Sequence, residues 1–196
     1  MSNSVIVETF GKILVIRFNR PEKRNPLSLS VLEELDSNLD EVGNEIEAVI
    51  FTGTADAFAS GADLREIANI TAKGAKEFAR RGQNLTNRIA DLPQTTIAAI
   101  NGFCFGGALD MALACKKRIA SPNAVFSHPG VSLGIITGWG GTQRLPRLIG
   151  QAKAMEMFFL AKLIMAQEAL HIGLIDKIAL DPLAESLANA LDRHSS

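Results

Sequence analysis

The sequence predicts an α/β fold, and three observations carry that reading. Apolar runs of strand length recur along the chain, among them Ala48 to Thr52 and Thr95 to Ile100. Segments with apolar residues at helical spacing alternate with them. The connections are short and rich in Gly, Asn and Pro.

Each element has a local reason. Val5 to Phe10 and Ile13 to Phe18 are β-rich runs that Gly11-Lys12 joins as a hairpin. Arg20 to Pro26 is a charged loop with two prolines. Ser30 and Glu33 have capping-box spacing, and Val31, Leu32, Leu35, Leu39 and Val42 then share one helical face, which Gly43 ends. Ala48 to Thr52 is a buried strand from which Gly53 to Asp56 turns away. Phe58 to Asp63 leads into a second helix start, with Ser60 and Asp63 again at cap spacing. A polar helix covers Ala72 to Ala90 and stops at Asp91-Leu92-Pro93. After the strand Thr95 to Ile100, Asn101 to Gly107 turns into a helix from Ala108 to Cys115. Ile119–Ala120 and Val125–Phe126 read as short strands, and Gly130 to Gly141 as an irregular Gly-rich stretch. Gln151 to Lys162 and Gln167 to Gly173 are helical, and Leu174 to Ile178 is strand-like. Asp181 caps a last helix, whose face of Leu183, Leu187, Ala190 and Leu191 needs a partner.

Composition narrows the function classes. The 196 residues fit one domain that buries a core without disulfides or metals. Twenty basic and 21 acidic residues give a net charge of −1, so nothing points to a nucleic-acid partner. Cys104 and Cys115 form no CxxC, and His128, His171 and His194 lack ligand spacing, so no metal site is expected. Met1 to Ser4 carries no basic residue and no run reaches the length of a membrane span. The expectation is a cytoplasmic protein with no membrane contact.

Two segments share a design suited to chemistry: a strand, a glycine turn and a helix start. They are Ser60-Gly61-Ala62-Asp63 and Gly102 to Ala108. A helix start leaves backbone N–H groups unpaired, glycine lets a ligand oxygen approach, and two such donors aimed at one oxygen make an oxyanion hole. No GxGxxG, P-loop or GxSxG pattern competes.

In order along the chain, Asn19-Arg-Pro-Glu-Lys-Arg-Asn-Pro-Leu-Ser28, Phe58-Ala-Ser-Gly-Ala-Asp-Leu64, Ile97 to Leu109, Gly140 to Arg147 and Ala169 to Ile175 are each familiar. Together they resemble the enoyl-CoA hydratase/isomerase family, the crotonase superfamily. The resemblance implies a ClpP/crotonase spiral of ββα units over residues 1–180, with a residual C-terminal helix over 181–196. It implies an acyl-CoA thioester as substrate, no separate cofactor, and a trimer or hexamer. The Ala62 and Gly107 amides become the oxyanion donors. Lys23 and Arg24 lie beside the CoA phosphates and adenine. Ser60, Gly61, Asp63, Leu64 and Gly106 line the substrate path.

The departures from the family pattern bear on the reaction. Hydratases of the family use two glutamates. Asp110 stands at the first position and Gly130 at the second. Asp110 is the main acid/base candidate. His128 is placed to assist, since on a strand it faces the same side as Gly130. Trp139 is placed to wall the acyl pocket. With one carboxylate, hydration, isomerisation, decarboxylation and hydrolysis stay open, as does a non-catalytic acyl-CoA-binding subunit. Family chains also continue through further helices, of which this sequence carries only Leu183 to Arg193, so it reads as C-terminally short, with a fragment, a naturally short member and a frameshifted tail all open.

Overall fold

The computed structural model describes residues 4–191. His194 and the end of the expected last helix lie outside the described residues. The β1 strand (Val5–Phe10) and β2 (Ile13–Phe18) pair antiparallel across Gly11, whose φ of +60° suits the turn. Four parallel strands extend this hairpin: β3 (Ala48–Thr52), β5 (Thr95–Ile100), β7 (Lys117–Ala120) and β10 (Lys177–Ile178). The order is β1-β2-β3-β5-β7-β10. A second sheet, β4-β6-β8-β9, is built from Ala57–Ala59, Phe103–Phe105, Val125–Ser127 and Ile164–Met165. Successive pairs β3/β4, β5/β6 and β7/β8 each place one strand in the large sheet and the next in the small one. That recurrence is the repeat unit.

Period-two alternation gives the large sheet two buried faces. Leu14, Ile16, Val49, Phe51, Ala98 and Ile100 join the main core with α1 (Leu29–Asp40), α3 (Ala72–Asp91) and α4 (Gly107–Ala114). Their neighbours Ile13, Val15, Ala48, Ile50, Ile97, Ala99 and Ile119 pack on the other side against α8 (Pro182–Leu191). There Leu183, Leu187 and Ala190 find the partner their spacing demanded, while Leu191 stays exposed. Asp181 caps α8 by accepting from the Ala184 N–H at 3.0 Å. Both cysteines are buried free thiols.

Several expected boundaries move. Ser28, not Ser30, caps α1, accepting from the Val31 N–H. Asp63, not Ser60, caps the short α2 (Leu64–Ala68), accepting from the Arg65 N–H at 2.8 Å. The segment expected to be a plain turn before α4 contains β6. The α5 helix (Gly141–Ile149) was not expected, because Gly140 and Gly141 open it and Pro146 lies inside it. The remaining helices are α6 (Gln151–Leu160), ended by Ala161 at φ +49°, and α7 (Ala166–His171). Only Lys177–Ile178 of the expected strand from Leu174 pairs. Finally, β8 ends at Ser127 and Pro129–Leu133 forms a 3-10 turn, so His128 and Gly130 do not share a strand face.

Candidate active site

The two glycine turns meet. Gly61 has φ +93°, and a Cβ built on it would lie 2.7 Å from the Phe105 carbonyl oxygen and 3.4 Å from the Gly107 nitrogen. Only a residue without a side chain lets these backbones approach so closely. A bridge fixes the first turn from the other side: the Leu27 N–H donates to the Gly61 carbonyl at 2.8 Å, and the Asp63 N–H to the Leu27 carbonyl at 3.3 Å. The Ala62 N–H between them makes no hydrogen bond among the described residues. Gly106, at φ +53°, starts α4, and the Gly107 N–H in its first turn has no intrahelical acceptor.

Both amides belong to residues lining one cavity of about 100 Å³. Ser60, Gly61, Ala62, Leu64, Gly106, Gly107, His128, Gly130 and Trp139 all line it. Ile67, Phe78, Leu133, Ile135, Ile136 and Thr137 complete its walls. Asp110, Lys23, Arg24 and Asp63 do not line it. Asp63 is occupied as a helix cap. Arg24 lies on the surface, paired with Asp56 at 3.1 Å and 4.5 Å above the Phe103 ring, and Lys23 ends an exposed 3-10 turn.

Asp110 is fully buried one turn into α4. Its Oδ2 accepts from the Thr137 hydroxyl and from the Trp139 N–H at 3.1 Å. Its Oδ1 has no hydrogen-bond partner and faces His128 Nε2 at 3.7 Å. Burial raises the carboxyl to about 6, against the pull of Thr137, the Trp139 and Gly141 amides and Arg144. His128 is also buried, with its ring 4.9 Å from that of Phe158 and both nitrogens unpartnered. Burial lowers it to about 3, so the imidazole is neutral at pH 7.

Gly130 and Trp139 are each held by close packing. A Cβ on Gly130 would lie 2.7 Å from the Ile135 carbonyl oxygen, so the loop closes over the position where a second carboxylate would stand. Trp139 is clamped: a Cβ on Gly82 of α3 or on Gly107 of α4 would collide with its indole, and Phe78 packs 5.5 Å away. Its carbonyl accepts from the Thr86 hydroxyl at 2.7 Å.

A model of the enoyl-CoA hydratase/isomerase family matches residues 8–195. The chain belongs to that family. It is 41% identical to the short-chain-enoyl-CoA hydratase of Clostridium acetobutylicum, with 96% of this chain and 75% of that protein covered. It is 40% identical to the crotonyl-CoA hydratase of Syntrophomonas wolfei, covering 89% of this chain and 68% of that one. The crystal structure of an enoyl-CoA hydratase from Bacillus anthracis superposes with a TM-score of 0.94 at 34% identity, over 99% of this chain and 78% of that chain. An enoyl-CoA hydratase from Thermoplasma volcanium gives the same TM-score at 30% identity, over 100% and 79%. The repeat unit described above is therefore the crotonase-type spiral expected from the sequence, in an enzyme family. Among the described residues no helix is long and apolar enough to cross a membrane.

Within this enoyl-CoA hydratase/isomerase fold, one polar group escaped the sequence reading. Thr137 was legible only as part of a Gly-rich stretch, because its bond to Asp110 spans 27 residues. Phe78 escaped too, on a helix whose polar composition hid its inward side. The apolar spacing Phe78, Leu85, Ile89 was the signal available.

Proposed function

We propose that this chain acts on an acyl-CoA thioester by enoyl-CoA hydratase/isomerase chemistry. The Ala62 and Gly107 amides hold the thioester oxygen as it becomes an enolate. Asp110, with His128 beside it, is the main acid/base. The observation that carries this reading is two unused amides and His128 on one cavity, with a buried carboxylate behind it.

The chemistry follows from that arrangement. Drawing the π electrons onto the thioester oxygen makes negative charge where two fixed N–H groups wait, and such preorganised donors are worth about 3 kcal/mol each. Above pH 6 Asp110 is ionised and takes a proton. Once protonated, it returns one to the enolate carbon. One carboxylate thus serves twice, which suits a site in which Gly130 offers no side chain. CoA enters as part of the substrate, Lys23 and Arg24 on the exposed turn outside the cavity are the cations this reading assigns to its phosphates, and no resident cofactor is assigned. A trimer or hexamer completes this reading.

Cavity size supports a small acyl group. The space beside the two amides is only about 100 Å³. The names of the two relatives, short-chain-enoyl-CoA and crotonyl-CoA hydratase, agree with it.

Crotonyl-CoA turnover tests the proposal. Asp110→Asn is expected to lower kcat by about 100-fold or more while ligand binding persists. An unchanged rate in Asp110→Asn overturns the assignment of Asp110. Failure of the wild type to turn over any short enoyl-CoA leaves the binding-subunit reading standing. Product analysis separates hydration from double-bond isomerisation.

A further inference from the structure

Asp110 is the acid/base of the proposed site, yet it does not line the cavity. Something must connect the two. His128 lines the cavity, but its Nε2 stops at 3.7 Å from Oδ1 and makes no hydrogen bond there. Trp139 reaches the carboxylate through its backbone N–H, which carries no exchangeable route to a substrate. One side-chain hydrogen bond remains: the Thr137 hydroxyl to Oδ2, from a residue that itself lines the cavity.

We infer that Thr137 is the relay through which Asp110 exchanges protons with the bound substrate or water. The inference rests on the acyl-CoA reading above. A water in the cavity gives a proton to Thr137 Oγ1 while the Thr137 hydroxyl passes its own proton to Asp110 Oδ2. The water oxygen bonds to the β-carbon, and the π pair moves onto the thioester oxygen as an enolate. The proton then returns by the same path to the α-carbon. The sum is one water added across the double bond, with the hydroxyl and carboxylate regenerated. A carboxylate one methylene shorter than glutamate needs such an extension, and the hydroxyl supplies it.

The charged and titratable groups facing Asp110 are His128 after β8, Arg144 from α5 and Cys104 from β6. The Thr137 bond holds the Asp110 carboxyl down against its burial. Removing the hydroxyl therefore moves the acid limb of the kcat profile to higher pH, which loss of mere packing would not do.

The experiment compares wild type with Thr137→Val, Thr137→Ala and Thr137→Ser, using crotonyl-CoA for turnover and acetoacetyl-CoA for the bound-enolate absorbance. The expected result is a kcat loss of about 100-fold in Val and Ala, an acid limb shifted upward, an intact enolate band, and a limb restored to the wild-type position by Ser. A Val or Ala variant with an intact band and either an unchanged kcat or an unmoved limb overturns the relay. If Val abolishes the band by misfolding, the smaller Ala decides by the same criteria. If the wild type itself gives no band, it is the acyl-CoA reading that fails, and the relay falls with it.

Discussion

His128 Nε2 lies 3.7 Å from Asp110 Oδ1, and neither atom has a hydrogen-bond partner among the described residues. Two buried titratable groups face each other with their last polar atoms unsatisfied. Such atoms are rare in folded proteins, and they concentrate where a ligand or a moving proton completes the network. Here burial raises the pKa of the carboxyl and lowers that of the imidazole. It favours the neutral carboxyl and the neutral imidazole alike.

The first consequence is kinetic. The ionised carboxylate takes the proton, and it forms only above about pH 6. We expect log kcat for a short enoyl-CoA to fall as pH drops through 6, and Asp110→Asn to lose that limb. A profile that stays flat from pH 5 to 8 in the wild type contradicts the assignment.

Stability carries a second signature. The folded-state value of Asp110 is raised, from 3.8 to about 6. Its destabilising contribution is therefore full above pH 6 and fades as pH falls from 6 to 3.8. That of His128 is lowered, from 6.5 to about 3. Its penalty begins below pH 6.5 and grows down to 3, because the unfolded chain takes up the proton first. Between about pH 6 and 3.8 the two trends oppose each other. The melting temperature of His128→Asn is then expected to gain on that of the wild type as pH falls from 6 to 4, and that of Asp110→Asn to lose ground. Parallel melting curves for all three proteins across this range would refute the linkage.

The glycines of the two turns are sensitive for separate reasons. Gly61→Ala faces the Phe105 carbonyl oxygen at 2.7 Å with φ at +93°, and Gly107→Ala drives into the Trp139 indole. Each is expected to cost about 1–3 kcal/mol and to abolish the bound-enolate band. Gly82→Ala presses the same indole from α3 without touching either amide. Thermal melts should show it destabilised to a similar degree, with the band retained and kcat lowered, since the Trp139 N–H holds Asp110.

Restoring the family's second acid should not restore its chemistry. Gly130→Glu meets the Ile135 carbonyl oxygen at 2.7 Å from its Cβ. The expected outcome is a loss of about 1–3 kcal/mol with no gain in hydration rate. A variant that hydrates faster than wild type would show that the loop opens for it.

Much of this was readable from residues alone, where local physics and tertiary structure agree. Ala48 to Thr52 and Thr95 to Ile100 are wholly apolar or β-branched, and they form central strands. The segments around Ala62 and Gly107 stood out through the family resemblance, since glycine turns before helices are common in α/β folds. The α5 helix was hidden by its own breakers, since Gly140, Gly141 and Pro146 speak against a helix that packing against α4 and α6 stabilises. The expected common face of His128 and Gly130 failed because β8 ends at Ser127 and Pro129 opens a 3-10 turn, so neither residue lies in a strand. The Thr137–Asp110 bond, the clamp on Trp139 and the closure over Gly130 are contacts between residues distant in sequence, and no local pattern announces them.

The central claim is that the Ala62 and Gly107 amides hold an enolate. Titrating the protein with acetoacetyl-CoA while recording the near-ultraviolet spectrum tests it most directly. Saturable growth of the enolate band, lost in Gly107→Ala, is the result predicted. Saturable binding without any such band would contradict the claim.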